Sequence, residues 1–417
     1  MRGRGGRQSA LAGGVALALA VGACGGGEAP GTGPDPEPTL RDRAVAAGLQ
    51  ALPAEPIRPV DNPFHAPRVE LGRLLFFDPI LSGPRDVACS TCHLPRLAFG
   101  DGRQFPVGAG GSGLGPDRTR PDPASGLREM ERNSPPVLNT GLFGRMTPTP
   151  HVNGTMFWSG SAFGLEDQVL NPISNDKELR GTTYSKVVAR DSVLARLRAI
   201  PGYVDRFAAG FPDAAAAHGN DPFRLVTAGT LRRALAAYLR ELVTPDAALD
   251  RFLRGDEGAL TPAQAAGLEL FIGKADCVAC HTGPLLSDFT LHVLGTEQEG
   301  LGRDSTPGDD LGWGEHGGTP YSFRTPPLRQ VALTAPYFHA GTAETLEEVL
   351  HFKNFGRSGY HRVPDAALDP KVAPLGLSEA EIADLVAFLR ALTDTRSVTG
   401  PLFQPPETVP SGLEVPR

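Results

Sequence analysis

The chain has 417 residues, an apolar content of 40%, a charged content of 21% and a formal net charge of −7 at pH 7. Such a length and apolar content are sufficient for two folded domains, each with its own hydrophobic core. The acidic balance argues against nucleic acid as a partner and is compatible with a small basic protein as a partner.

The N-terminal residues have the features of a bacterial export signal. Arginines precede a short apolar run from Leu11 to Val21, which is too short to span a bilayer. The segment Val21-Gly-Ala-Cys24 then resembles a lipobox, which predicts cleavage before Cys24 and attachment of lipid to its thiol. The alternative is an ordinary signal peptide with an incidental cysteine. We therefore predict that residues 1–24 are a lipoprotein-type signal peptide, and that the mature protein lies in the periplasm with Cys24 as its only membrane anchor.

Composition and turn signals divide the rest of the chain. Residues 25–45 are rich in glycine, proline and acidic residues, which predicts a flexible tether. A helical pattern that ends before Pro245 separates two larger segments, predicted as an N-terminal domain of residues 46–250 and a C-terminal domain of residues 251–397. Residues 398–417 are predicted to form a C-terminal tail.

Each predicted domain contains one copy of the same pentapeptide pattern, Cys89-Ser-Thr-Cys92-His93 in the first and Cys277-Val-Ala-Cys280-His281 in the second. Cys-x-x-Cys-His is the attachment pattern of c-type haem, in which the two thiols bind the vinyl groups and the histidine binds the iron. The alternatives are a four-thiolate zinc site or redox disulfides, but neither explains a histidine directly after both pairs. The pattern therefore predicts two covalently bound haem c groups.

Both pentapeptides follow a segment with helical spacing of apolar residues. Leu71-Gly-Arg-Leu-Leu-Phe-Phe77 precedes the first, and Gly267-Leu-Glu-Leu-Phe271 precedes the second. A further helix is predicted from about residue 378 to residue 393, because Ser378 and Glu381 form a capping box before an apolar face. Strand signals are sparse, so we predict a mainly α fold with two haem domains and long loops.

A series of ordered sequence blocks surrounds both pentapeptides, from about residue 63 to residue 392. With these blocks the chain resembles the bacterial di-haem cytochrome c peroxidases, whose MauG branch modifies tryptophans on partner proteins. The resemblance implies two cytochrome c-like haem domains. The blocks outside the pentapeptides are Glu70-Leu-Gly-Arg-Leu-Leu-Phe-Phe-Asp78, Leu81-Ser-Gly83, Ala98-Phe-Gly-Asp-Gly102, Arg132-Asn-Ser-Pro135, Val137-Leu-Asn139, Phe157-Trp158, Leu165-Glu-Asp-Gln168, Leu268-Glu-Leu-Phe271, Thr282-Gly-Pro284, Pro327-Leu-Arg329 and Val331-Ala-Leu-Thr-Ala-Pro-Tyr-Phe-His339.

The resemblance also implies an activity and a division of labour between the haems. The N-terminal haem, with His93 as its proximal ligand, would react with hydrogen peroxide. The C-terminal haem, with His281 as its proximal ligand, would receive electrons one at a time from a small periplasmic cytochrome c or cupredoxin. The reaction would reduce hydrogen peroxide to water. A homodimer is common among such relatives.

Cleavage of the peroxide O–O bond requires a group that moves a proton between the two oxygens. By resemblance this group is Glu166, and a poorly solvated pocket is expected to raise its pKa. The alternative is an ordinary surface helix glutamate. The position of the family's distal glutamine holds Met156, whose thioether cannot donate a hydrogen bond. We therefore expect slower peroxide turnover or a different substrate.

The sixth ligands of the two irons also depart from the family pattern. No histidine occurs between residues 94 and 150, so we predict an open peroxide-reactive iron that needs no reductive activation. His151 is the only nearby substitute, and it is interpreted as a loop histidine. No methionine follows Met156, so the second iron has Lys353 or His351 as its candidate sixth ligand, with Lys353 preferred. Either would give a lower reduction potential than methionine. The alternative is that both residues are solvated and the iron binds water or another group.

A calcium ion between the two domains is a further implication of the resemblance. Its ligands would be the side chain of Asn133 and the backbone carbonyl oxygens of Thr334 and Pro336, which are the hard oxygen ligands that Ca²⁺ prefers. The alternative is that Asn133 caps a turn.

Three hypotheses for the function remain open from the sequence. The first is the periplasmic peroxidase described above. The second is a MauG-like enzyme that oxidises residues of a partner protein, which the missing histidine favours and the missing tyrosine ligand at the second haem weakens. The third is a di-haem electron carrier without catalytic activity, which a distal acid argues against.

Overall fold

The computed structural model describes residues 37–146, 155–298 and 309–417. The predicted signal peptide, Cys24, most of the predicted tether and His151 lie outside these ranges. Along the three described stretches, no helix has both the length and the apolar composition of a membrane span.

The described residues are mainly helical, which confirms the predicted fold class. The α-helices are α1 (Leu40–Ala46), α2 (Ala66–Phe77), α3 (Cys89–Cys92), α4 (Leu165–Gln168), α5 (Asn171–Ser174), α6 (Ala189–Arg198), α7 (Pro201–Gly210), α8 (Pro212–His218), α9 (Pro222–Leu225), α10 (Ala228–Arg240), α11 (Ala248–Leu253), α12 (Pro262–Ile272), α13 (Leu346–Phe355) and α14 (Glu379–Arg390). The strands form two antiparallel pairs, β1 (Thr155–Met156) with β2 (Ala162–Phe163) and β3 (Leu291–Val293) with β4 (Ser322–Arg324).

Local sequence signals explain where the principal helices begin. Ser378 caps α14 and forms the predicted capping box with Glu381. Thr261 caps α12 with Gln264 in the same way, and proline occupies the first position of that helix. These caps satisfy backbone N–H groups that have no partner inside the helix.

A pair of crossing helices forms the frame of each module, α2 with α10 in the first and α12 with α14 in the second. Glycine permits the close approach in both pairs. A Cβ on Gly72 would lie 2.0 Å from the carbonyl oxygen of Ala234, and a Cβ on Gly267 would lie 2.0 Å from that of Asp384. The two glycines belong to the repeated segments that precede the pentapeptides, so the internal duplication is a duplicated helix crossing.

The two helix pairs lie in separate hydrophobic cores. Each end of the folded chain packs in the core of the module to which it does not belong in sequence. Ala44 and Leu49, near the N-terminus, pack in the core of the second module. Phe403, Val409 and Val415, from the predicted C-terminal tail, pack in the core of the first module. The tail is therefore part of the packed structure.

The expectation that the tether continues to residue 45 is wrong. Helix α1 begins at Leu40, where Thr39 and Asp42 form a capping box. Its Ala44 is fully buried, and Arg43 forms an ion pair with Glu269 of α12. Burial against α12 orders residues whose composition resembles that of a flexible linker.

Candidate functional site

The first pentapeptide folds as the single turn of α3, and this turn fixes the orientation of its histidine. The backbone N–H of His93 donates to the carbonyl oxygen of Cys89 at 3.1 Å. The ring Nδ1 of His93 donates to the carbonyl oxygen of Phe99 at 3.1 Å, so Nε2 is the nitrogen left to bind a metal. Burial lowers the pKa of His93 to about 4, which keeps the imidazole neutral as a ligand must be.

The second pentapeptide repeats this arrangement. The backbone N–H of His281 donates to the carbonyl oxygen of Cys277 at 2.8 Å. Its ring Nδ1 donates to the carbonyl oxygen of Leu286 at 2.8 Å, and burial lowers the pKa of His281 to about 4. Both histidines therefore present a neutral ring with Nε2 available, which fits an axial ligand of haem iron.

The four thiols of the pentapeptides are free and lie in different modules. Cys89 packs against the first core and Cys277 packs against the second. Within the described residues, no cluster of metal-binding side chains combines thiols from both motifs. Burial raises the pKa of Cys89 and of Cys277 to about 12, so both remain neutral thiols. The four-thiolate zinc alternative is therefore excluded by the separation of the pairs.

A cavity of about 370 Å³ opens beside the first motif. Its walls are mainly apolar, as the faces of a porphyrin require, and they carry a few polar side chains. Among the described residues of its lining, no histidine other than His93 is present. The lining includes Phe76, Cys89, Cys92, His93, Asn133, Met156, Phe157, Trp158, Leu165, Gln168, Asn175, Lys177, Glu178, Leu235, Leu239, Arg324 and Arg329.

Glu166 is not among the residues that line the cavity. Its carboxylate accepts hydrogen bonds from the guanidinium of Arg240 at 2.8 and 2.9 Å and from the side-chain amide of Asn62 at 2.8 Å. Burial favours the neutral acid, but the bonds from Arg240 and Asn62 outweigh it and hold the pKa of Glu166 below its usual value. The expectation of a raised pKa is wrong, because an arginine neutralises this carboxylate.

Glu178 is the carboxylic acid whose environment matches the expectation made for Glu166. It lines the cavity with His93, and burial raises its pKa to about 7, against a weaker opposing effect of the hydrogen bond from Asn175. The neighbouring cation, Lys177, forms an ion pair with Glu131. Glu178 thus has the proton affinity of a group that exchanges protons near neutral pH.

Gln168 supplies an amide to the same wall. Leu165 and Gln168 are three residues apart on α4 and both line the cavity, whereas Glu166 points toward α10. Met156 also lines the cavity, as expected, and its thioether offers no hydrogen-bond donor. Gln168 therefore brings to the cavity wall an amide that Met156 cannot supply.

The position of Glu178 depends on a π-helical turn over Asp176–Arg180. The carbonyl oxygen of Glu178 accepts the backbone N–H of Ala109 at 2.8 Å. Gly108 makes this approach possible, since a Cβ there would lie 2.4 Å from the same oxygen. Turns of this kind occur frequently at functional sites. The sequence signal was a glutamate ten residues after Gln168, but only the long-range contact with residues 108 and 109 brings it to the cavity.

The two candidate sixth ligands at the second motif differ in their surroundings. Lys353 is half-buried, and desolvation lowers its pKa to about 8, while the nearby Cys277 and Cys280 act in the opposite direction. The same lysine contributes to the lowered pKa of His281, so Lys353 lies close to the motif. The side chain of His351 is 50% exposed and lies 3.6 Å from Glu379.

The predicted calcium ligands lie where the modules meet. The backbone N–H of Asn133 donates to the carbonyl oxygen of His339 at 2.8 Å, three residues beyond Pro336. The side-chain amide of Asn133 donates to the carbonyl oxygen of Arg103 at 2.8 Å. Within the described residues the side-chain oxygen of Asn133 accepts no hydrogen bond, and Thr334 and Pro336 are half-buried.

Two Cys-x-x-Cys-His sites in separate helical modules define a di-haem protein of the c type. The model of the di-haem cytochrome c peroxidase family matches residues 66–258. The methylamine utilization protein MauG of Methylorubrum extorquens is 34% identical over 91% of this chain and 94% of its own. Cytochrome c551 peroxidase of Nitrosomonas europaea is 30% identical over 89% of this chain and 93% of its own.

A solved structure has the same overall fold. A MauG-like protein associated with microbial copper homeostasis superposes with a TM-score of 0.69 at 30% identity, over 85% of this chain and 97% of its own. The chain therefore belongs to the di-haem cytochrome c peroxidase family, an oxidoreductase family, and membership of this family implies two haem c groups.

Proposed function

We propose that the protein is a periplasmic peroxidase that reduces hydrogen peroxide to water in the cavity of the first module. The observation that carries the proposal is Glu178, a half-buried acid that lines the same cavity as His93 and has no arginine within ion-pair distance among the described residues. An electron carrier needs neither a cavity beside the motif histidine nor an acid with a pKa near 7.

The side chains of the cavity wall have separate roles in this reaction. The haem supplies the iron that exchanges electrons with the substrate. Glu178, ionised above its pKa, accepts a proton from one oxygen of hydrogen peroxide and returns it to the other as the O–O bond breaks. Gln168 donates a hydrogen bond that orients the bound substrate. Two electrons and two protons from outside complete the conversion of one hydrogen peroxide into two water molecules.

The second module would hold the electron-transfer haem, with Lys353 as the sixth ligand of its iron. The position of Lys353 near Cys277, Cys280 and His281 supports this assignment, and desolvation lowers its pKa and so favours the neutral amine. A deprotonated amine is a ligand for iron. Nitrogen ligation would give this haem a lower potential than methionine ligation would.

Location, donor and calcium belong to the same proposal. The N-terminal sequence supports export and a lipid anchor at Cys24, and the net charge of −7 is compatible with a basic cytochrome c or cupredoxin as electron donor. The side-chain oxygen of Asn133 accepts no hydrogen bond from the part of the chain that the structure describes, and Asn133 is hydrogen-bonded to the segment that follows Thr334 and Pro336, which supports a bound Ca²⁺ at the boundary of the modules.

A stopped-flow experiment tests the activity directly. Hydrogen peroxide is added to the purified diferric protein while the Soret band is recorded, with and without reduced cytochrome c. We expect rapid reaction and rapid oxidation of cytochrome c. Absence of any reaction would identify an electron carrier. A long-lived oxidised state that cytochrome c does not reduce would instead support the second candidate, a MauG-like enzyme that acts on a protein. The 34% identity to MauG is the observation that favours this second candidate.

A further inference from the structure

The cations that line the first cavity differ in how their charge is compensated. Arg324 is the one for which the described residues provide no carboxylate within ion-pair distance. The others each have an acidic partner, Arg132 with Asp310 at 2.5 Å, Lys177 with Glu131, and Arg329 with Asp250 at 2.9 Å.

Arg324 is almost completely buried, with 4% of its surface exposed. Its Nε donates to the carbonyl oxygen of Phe157 at 3.0 Å, and its Nη1 donates to that of Thr325 at 3.3 Å. The guanidinium lies over the rings of Phe143 and Phe289, 5.4 and 5.2 Å from their centres. Burial lowers its pKa to about 10, so it remains charged at neutral pH. A buried charge without a counter-ion is costly, which indicates that an anion joins it in the mature protein.

We propose that Arg324 binds a propionate group of the haem attached at Cys89 and Cys92. The haem brings carboxylates into this cavity, and a guanidinium has five N–H donors in a fork that matches a carboxylate. The contacts of Arg324 with Phe157 and Thr325 occupy two of those donors. The proposal rests on haem attachment at the first motif, and it is independent of the peroxidase activity.

The origin of Arg324 makes this site a link between the modules. The residue ends β4, which lies after the second pentapeptide, whereas the cavity contains the first. Its backbone N–H also donates to the carbonyl oxygen of Trp158 at 2.8 Å. The second module would thus complete the haem site of the first, so that the first haem would lack this anion-binding group if that module were folded alone.

A purely structural role is the competing explanation, in which Arg324 only holds Phe157 and packs on Phe143. The two are separated by Arg324→Gln and Arg324→Lys in the full-length di-haem protein. Redox titration of both haems is followed by their spectra. Loss of a positive charge beside an ionised propionate stabilises the ferric state, so R324Q should lower the midpoint potential of the first haem more than that of the second. R324K keeps the charge and should remain close to the wild type.

The wild-type holoprotein provides the second measurement, which does not depend on a variant folding. A crystal structure should place the Arg324 guanidinium within about 3.2 Å of a propionate oxygen of the first haem. A guanidinium that faces away from both propionates, or unchanged potentials in R324Q, would overturn the proposal. A protein whose mass includes a single haem would instead refute haem attachment, and an inactive protein with the expected contact would refute only the peroxidase function.

Discussion

The two modules are built on the same frame and differ in what surrounds the motif histidine. In both, a glycine lets one helix cross another at van der Waals contact, and the histidine that follows donates Nδ1–H to a backbone carbonyl. The first module then leaves a cavity of about 370 Å³ beside His93, whereas the second places the half-buried Lys353 near His281.

This difference shows how one scaffold acquires two roles. The frame carries the motif in both modules, and residues from other elements would determine whether substrate or a side chain reaches the haem iron. Glu178 comes from the loop region that follows α5, and Lys353 comes from α13. Neither element belongs to the duplicated helix pair, so the proposed specialised chemistry of each module would come from outside the repeat.

The largest expected effect distinguishes the two glutamates of the first module. Glu178→Gln should slow the reaction with hydrogen peroxide by about 10²–10⁴-fold, because an amide cannot accept the proton. Stopped-flow absorbance of the diferric protein measures the rate, and the haem content should be unchanged.

Glu166→Gln is the matched control, because Glu166 pairs with Arg240 outside the cavity. It should react near the wild-type rate and lose about 1–3 kcal/mol of the free energy of unfolding, since Arg240 loses its charged partner. If Glu166→Gln reacted slowly with hydrogen peroxide and Glu178→Gln reacted at the wild-type rate, Glu166 would be the proton-transfer residue instead of Glu178.

The next prediction concerns the second module. Lys353→Ala should remove the nitrogen ligand of the second iron and convert its low-spin ferric signal to a high-spin signal. The signal of the first haem should be retained. Electron paramagnetic resonance of the diferric protein gives the measurement. His351→Ala serves as the control, because its side chain is half exposed and faces Glu379. A signal that responds to His351 and not to Lys353 would exchange their roles.

The shared frame predicts equal sensitivity in the two modules. Gly72→Ala and Gly267→Ala each place a methyl group 2.0 Å from a carbonyl oxygen. Overpacking of this kind costs about 1–3 kcal/mol, which denaturant unfolding followed by circular dichroism would detect. Gly229→Ala on α10 meets no atom closer than 3.6 Å and should be neutral or mildly stabilising. A large loss of unfolding free energy in only one of these two variants would show that the two helix crossings are not equally sensitive.

The smallest effect is the pH dependence of the peroxide reaction. Burial raises the pKa of Glu178 to about 7, so the reactive carboxylate is present above that pH and is lost as the pH falls. The rate should therefore decrease about tenfold for each pH unit below the pKa. Glu178→Gln should abolish this dependence, and a wild-type profile that is flat between pH 5 and pH 8 would contradict the role of the residue.

Much of the architecture could be predicted because its signals are local. The capping boxes at Ser378 and Thr261 and the two pentapeptides each occupy a few consecutive residues. The choice between Glu166 and Glu178 could not be made in this way. It depends on distant segments, because Arg240 pairs with Glu166, and Gly108 and Ala109 contact the turn that brings Glu178 to the cavity.

The sequence by itself determined the haem motifs, the helical frame and the family, because thiol spacing, helix caps and apolar periodicity are properties of neighbouring residues. Only the tertiary structure decided which acid has a raised pKa in the first cavity, which side chain lies near His281 at the second motif, and in which core each end of the chain packs. These depend on burial and on charge partners from distant segments, which become defined only when the chain is folded.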